Sequence, residues 1–449
     1  MRDVARRAVG GLMIYPAYEA THQMMVPFRQ MARAFAAGVD NPGNLFRDTP
    51  AARAVVAGHN VFEMATRRYT KPAWRLDETV IDGARVPVEV ETVLEKPFGN
   101  LIRFRRDPEA LKSATGGKPQ PRVLVVAPMS GHHATLLRGT VEAMLPGHEV
   151  FITDWADARD VPVLFGRFDL NTYIDYLIAF IKEIGPGAHT MAVCQPGPPL
   201  LAACSVMAED EDPARPRSMT FMGSPIDARK SPTVTNLLAE QKAFEWFEEN
   251  MIQTVPAPYG GFTRRVYPGF LQLYSFMSMN IERHVNASFD YFGNIMQGND
   301  FAARKHEVFY DEYLAVCDMT AEFYLQTIHD VFQEYLLPRG LFVHNGRVVD
   351  PSKITDIGLM TVEGELDDIS GIGQTQAAHD LCTNIPSKDQ LDYVQKGAGH
   401  YGVFNGRKWR EEIQPRLAKF IRDRFDEEEE RSFLQGHKLK VVGGKESAA

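Results

Sequence analysis

Cysteine is scarce: Cys194, Cys204, Cys317 and Cys382 are the four in 449 residues, with no paired short spacing among them. That excludes a disulfide framework and a cysteine-built zinc site, and it fits a reducing compartment. A basic excess is also missing. The formal net charge is -9, so the chain lacks the cationic footprint that neutralises a phosphate backbone, and nucleic acid is not an expected partner. No apolar run of about 18 residues occurs, which excludes a membrane-spanning helix. The basic N-terminus is interrupted by Pro16, Tyr18 and Glu19 before a signal-peptide core forms, so a cytoplasmic chain is expected. There is no internal repeat. What is present, 44% hydrophobic and 24% charged residues, is the balance of a globular chain able to bury a large core.

Residues 1–75 read as an N-terminal helical segment, because Met13, Tyr15, Tyr18, His22, Met25, Phe28, Met31 and Phe35 recur at helical intervals. From about 78 the pattern becomes strand-like, with a hairpin signal at Asp82-Gly83. The run Arg122 to Ala127 is continuously apolar after its first residue, as a strand buried on both faces requires. Strands are then expected near 148–153, 190–193, 218–223, 357–362 and 391–394. A helix begins after the cap residue Asp169 and stops at Gly185-Pro186. Strands alternating with helices predict a mostly parallel sheet, since parallel neighbours need a crossover. The alternation stops over 230–345, which reads as an inserted, aromatic-rich helical lid. The sheet region is therefore expected in two parts, 76–229 and 346–435. The second part ends in an amphipathic helix from Trp409 to about Phe433, and 436–449 reads as a flexible, solvated tail.

The strongest local feature is Ala192-Val-Cys-Gln-Pro-Gly-Pro-Pro199, between a strand and a helix-compatible segment. A nucleophile in such a turn stands exposed above the sheet, and the next residue's N–H can stabilise an oxyanion; these are Cys194 and Gln195. The usual G-x-S-x-G is not matched, since Ala192 and Pro196 hold the glycine positions. A buried structural cysteine is the plainer reading of Cys194 taken alone. Asp367 follows the strand near 362 and His400 lies in the glycine-flanked Gly397-Ala-Gly-His-Tyr-Gly402. Acids at strand ends are often only helix caps, and one histidine of thirteen is often incidental. The order of nucleophile, acid after a late strand and histidine after the last strand is, however, that of α/β-hydrolases. All three fall where open parallel sheets place their sites. Asp368 is the fallback acid. The loop Pro128-Met-Ser-Gly-His-His-Ala134 offers Met129 or Ser130 as the second oxyanion donor. His132 and His133 lack companions at ligand spacing, so neither a metal nor a cofactor is expected.

The blocks VAPMSGHHATLLRGTV (126–141), VCQPGPP (193–199), PGFLQLYSFMSMNIERH (268–284), VEGELDDISG (362–371) and GAGHYGVFNGRKWR (397–410) resemble the intracellular polyhydroxybutyrate depolymerases, and the similarity covers most of the chain. The resemblance implies a Cys194–Asp367–His400 triad acting on poly-(R)-3-hydroxybutyrate, with the storage granule surface as partner. An apolar polyester needs apolar walls. Tyr267, Phe270, Tyr274 and Phe276 in the insertion are therefore expected to line its site. Polyhydroxyalkanoate synthases resemble the chain in the same constellation, although Gln195-Pro196 fits them less well. A non-catalytic granule-coat protein is the rival from another class. The sequence leaves the oligomeric state open.

Overall fold

The structure, a computed structural model, describes residues 14–279 and 281–436. Strands β1 (Glu78–Ile81) and β2 (Ala84–Leu94) form a hairpin across Asp82 and Gly83, both at positive φ (48° and 83°), the two-residue turn the sequence predicts. After β3 (Gly99–Arg106) come β4 (Arg122–Val126), β5 (Glu149–Trp155), β6 (His189–Val193) and β7 (Ser218–Met222). The chain then makes the short strands β8 (Gln253–Thr254), β9 (Arg265–Tyr267), β10 (Met319–Thr320), β11 (Val343–His344) and β12 (Arg347–Val348). It returns to the main sheet with β13 (Gly358–Gly364) and β14 (Gln390–Gln395).

The main sheet has nine strands in the order β1-β2-β3-β5-β4-β6-β7-β13-β14. β1, β2, β3 and β5 pair antiparallel in turn, and every pair from β5 through β14 is parallel. All residues of β4, β6, β7 and β13 are buried, as their near-continuous apolar runs demand. Helices cover them. Leu170–Ile184 starts where the Asp169 carboxylate accepts from Thr172 N–H and stops at Gly185 (φ 89°), and it buries Tyr173, Leu177, Phe180 and Ile184. From β4 the chain crosses to β5 on one side, and β6 lies on the other. The crevice at such a reversal is where doubly wound sheets hold their ligands.

The segment between β7 and β13 is not wholly helical. Five helices of eight or more residues, Val234–Gln241, Phe244–Met251, Gly269–Met279, Ile281–Gln297 and Asp300–Tyr313, are joined by a small antiparallel sheet, β10-β9-β8. The N-terminal helices Ile14–Val39 and Pro50–Thr66 are part of the same layer. Tyr15 donates to Asp318 (2.6 Å), Tyr18 stacks on Phe270 (4.0 Å), and Arg67 pairs with Asp311. The face that predicts the first helix is only half used: Tyr15 is buried, while Phe28, Met31 and Phe35 are exposed.

At the C-terminus, the single amphipathic helix expected from Trp409 is broken into Gln414–Arg422 and Glu427–Gly436. The second helix is anchored by Glu430, which receives a forked pair from the buried Arg122 of β4 (2.8 Å). Residues 437–449, most of the expected tail, and 1–13 of the expected N-terminal segment lie outside the described residues. Among the described residues, no helix is long and apolar enough to cross a membrane.

Candidate active site

The chain leaves β6 through a sharp turn. Cys194 sits at φ 66° with its N–H donated to Met222 O (2.8 Å), and Gly197 N–H returns to Cys194 O (3.2 Å) before the helix Gly197–Glu209 begins. Positive φ at a non-glycine residue costs on the order of 1–3 kcal/mol and is kept only where surroundings enforce it. The enforcement is visible: a Cβ on Gly197 would lie 2.4 Å from Ser224 Cβ, so only glycine lets the turn settle against the loop after β7. Pro196, Pro198 and Pro199 occupy the cap and first turn, where a missing N–H costs little.

The histidine and the acid arrive from the last two parallel strands. His400 opens a short helix after β14, and its Nδ1 is 2.8 Å from Asp367 Oδ2. The other Asp367 oxygen accepts from Ile369 N–H (2.9 Å) and Ser370 N–H (2.8 Å), and the carboxylate is wholly buried. Asp368, by contrast, is exposed at the cavity rim. Burial alone would lower the His400 pKa. The neighbouring Cys194 and Asp367, the latter hydrogen-bonded to the ring, overcome burial and raise it well above the usual value. Cys194, Asp367 and His400 therefore converge, with the imidazole between sulfur and carboxylate. The remaining cysteines are buried and their thiols are pushed up by burial, that of Cys382 to about 12.

Met129 N–H points to the elbow, but it donates to the side-chain oxygen of Gln195 (3.1 Å). The backbone N–H groups of Gln195 and Ser130 have no protein partner among the described residues. His132 and His133 are both buried; His132 Nε2 meets Tyr313 O (3.0 Å), and Gly131 O accepts from Cys317 N–H (2.7 Å). The loop that carries Met129 is thus fastened to the insertion.

A cavity of about 700 Å³ opens at His400. Of the four aromatic residues expected to line it, Phe276 does. Tyr267 is buried against Tyr324 (4.1 Å), Phe270 lies under the N-terminal helix, and Tyr274 is 72% exposed, because the residues flanking Phe276 point to other faces. The wall is built mostly from the following two helices, with His284, Tyr291, His306, Tyr310 and Tyr313. Their spacings, 306/310/313 and 284/291, mark one helical face and were available in the sequence. Glu363 was not anticipated either. At the end of β13 it is 1% exposed and accepts from Thr375 N–H (2.8 Å) and Gln376 N–H (3.0 Å), pinning the loop that follows Asp367.

The strand order, the antiparallel strands at one edge followed by parallel strands from β5 to β14, and a nucleophile-type elbow after β6 define an α/β-hydrolase. Residues 223–425 match the family described as "PHB de-polymerase C-terminus". No curated protein matches the chain. Among solved structures, a soluble variant of monoglyceride lipase from Saccharomyces cerevisiae is 13% identical with a TM-score of 0.41, covering 80% of this chain and 97% of its own. A monoacylglycerol lipase from Paleococcus ferrophilus is 12% identical (TM-score 0.38; 68% and 97%). The 2-hydroxy-6-oxo-6-phenylhexa-2,4-dienoate hydrolase from Rhodococcus sp. strain RHA1 is 10% identical (TM-score 0.39; 75% and 99%).

Proposed function

We propose that the protein hydrolyses poly-(R)-3-hydroxybutyrate at storage granules in the cytoplasm, with Cys194 as nucleophile, His400 as base and Asp367 as the carboxylate that orients it. The observation that carries this reading is the ordered contact of Cys194, His400 and Asp367 at the C-terminal ends of three parallel strands. With Nδ1 engaged by Asp367, Nε2 is left for the thiol proton. A free thiol with a pKa of about 8.5 gives little thiolate at neutral pH, and the paired imidazole is what supplies it. Thiolate attack on an ester carbonyl gives a thioester and releases the alcohol; water, activated by the same histidine, then frees the acid.

The oxyanion is received by Gln195 N–H and Met129 N–H, with Ser130 N–H beside them. The Gln195 side-chain oxygen at Met129 marks where an acceptor is held at rest, and the substrate oxygen displaces it. A preorganised donor of this kind is worth on the order of 3 kcal/mol in the transition state. The insertion, together with the N-terminal helices, acts as the lid that walls off the polymer and excludes water.

Purified protein incubated with amorphous granules is expected to release soluble hydroxybutyrate or its oligomers, and Cys194→Ala to abolish release with unchanged circular dichroism. Polymer growth from hydroxybutyryl-CoA would instead establish a synthase. Granule binding without turnover, or activity retained by Cys194→Ala, would overturn the assignment.

A further inference from the structure

Away from His400 the cavity runs between the helices Ile281–Gln297 and Asp300–Tyr313. Rings line this arm in sequence. Tyr401 lies 6.4 Å from Tyr313, which stacks on His284 (5.2 Å), and farther on His306 lies 4.4 Å from Tyr310 and 4.5 Å from Tyr291. His284 Nδ1 and the Tyr310 hydroxyl share a hydrogen bond (2.9 Å). Burial lowers the pKa of both imidazoles, so His284 and His306 are neutral, flat surfaces with single polar edges. Such a wall suits a chain of alternating hydrocarbon and ester carbonyl.

Two cations stand on the same arm. Arg283 and Lys305 come from the two helices, and neither has an ion-pair or hydrogen-bond partner among the described residues. Arg283 also lines a neighbouring open cavity, placing it where the arm meets solvent. Among the described residues Asp290 is the one carboxylate on this part of the lining, with Glu282 on the neighbouring open cavity and Asp368 beside the catalytic loop. Cations without an ion-pair partner among the described residues, on a channel lined largely by rings, call for an anion on the end of an apolar chain.

We propose that Arg283 and Lys305 bind the terminal carboxylate of the polyester, so that the arm holds the leaving fragment and cleavage proceeds from the carboxyl end. This rests on the ester-hydrolase reading of Cys194. As sulfur attacks, the C–S bond forms and the ester C–O bond breaks. The departing alkoxide takes the proton from His400, and that fragment carries the carboxylate, while the acyl fragment on sulfur keeps the hydroxyl end.

The test compares 3-hydroxybutyrate oligomers of one defined length, as free acids and as methyl esters. The protein is expected to favour the free acid in kcat/KM by on the order of tenfold, the scale of a part-exposed charge pair. The double variant Arg283→Met/Lys305→Met is expected to bring that ratio close to one. No preference in the unaltered protein, or an unchanged ratio in the variant, overturns the carboxylate site while leaving the triad standing. If neither oligomer is cleaved, the ester-hydrolase reading of Cys194 fails, and the inference with it.

Discussion

At Gly223 a side chain would press on the imidazole and its carboxylate. Its φ is 55°, and a Cβ there would lie 3.1 Å from His400 Cε1 and 3.2 Å from Asp367 Oδ2. Gly223→Ala is therefore expected to separate the imidazole from its carboxylate and lower kcat by one to two orders of magnitude. Folding should remain cooperative; an unchanged kcat would mean that the dyad can shift without cost. The acid makes a second case. Asp367→Asn removes the charge facing His400 and should cost on the order of 10³–10⁴ in rate, while Asp368→Asn should cost little; the reverse ranking in steady-state kinetics reassigns the role. At this scale much was legible. The placement of the candidate residues Cys194, Asp367 and His400 at strand ends was readable from their order along the chain, because each follows a strand that the apolar runs reveal. Phe276 was separated from Tyr267, Phe270 and Tyr274 only by the structure, since Tyr267 ends a strand and a run of aromatics on the helix that follows does not say which face meets the cavity. Glu363 was hidden because its partners are backbone N–H groups, which leave no trace in residue identity.

Elements are joined by buried charge, the feature least visible in sequence. Glu430 lies in the run Glu427 to Glu430, which reads as a solvated face, yet it is 2% exposed and paired with Arg122. Burial raises its pKa and Arg122 pulls it back. Glu430→Gln leaves the guanidinium without its counter-charge and is expected to cost about 3–5 kcal/mol, read as a lower midpoint in urea unfolding. A midpoint within error of the unaltered protein would place that helix outside the cooperative unit. A second junction holds the N-terminal helix to the insertion, where Tyr15 meets Asp318 and Asp318 N–H meets Asp157 (3.1 Å). Burial first, and then the charge of Asp318, raises the Asp157 pKa, against the opposing pull of Arg159; Asp160 adds to the rise. A carboxyl with a raised folded-state pKa holds its proton in the folded chain after the unfolded chain has lost it. Its stabilising contribution is thus full below the ordinary carboxylate range and is lost as pH rises through the raised value. Asp157→Asn should flatten the dependence of thermal midpoint on pH over that range. A parallel, merely shifted curve would show that another group titrates.

Over the whole molecule, the sheet was legible because parallel strands buried on both faces must read as apolar runs. The docking of the N-terminal helices on the insertion was not, since helical periodicity names a buried face without naming its partner. The result is a single cap over the C-terminal edge of the sheet, built from chain segments more than 200 residues apart and tied to the Met129 loop through His132 and Tyr313. Because Phe276 faces the cavity and Tyr274 faces solvent, Phe276→Ala should reduce turnover of a short soluble ester and of granules alike. Tyr274→Ala should affect granules selectively, and equal loss on both substrates would place that ring in the support of the fold. The central claim is that an acyl group rests on Cys194. It is tested most directly by acid-quenching the protein during turnover of a short hydroxybutyrate ester and mapping the adduct by peptide mass spectrometry. One hydroxybutyryl group on the peptide containing Cys194, removed by neutral hydroxylamine and absent from His400→Ala, is the predicted result; an adduct on a serine, or turnover with no adduct at any time, would contradict it.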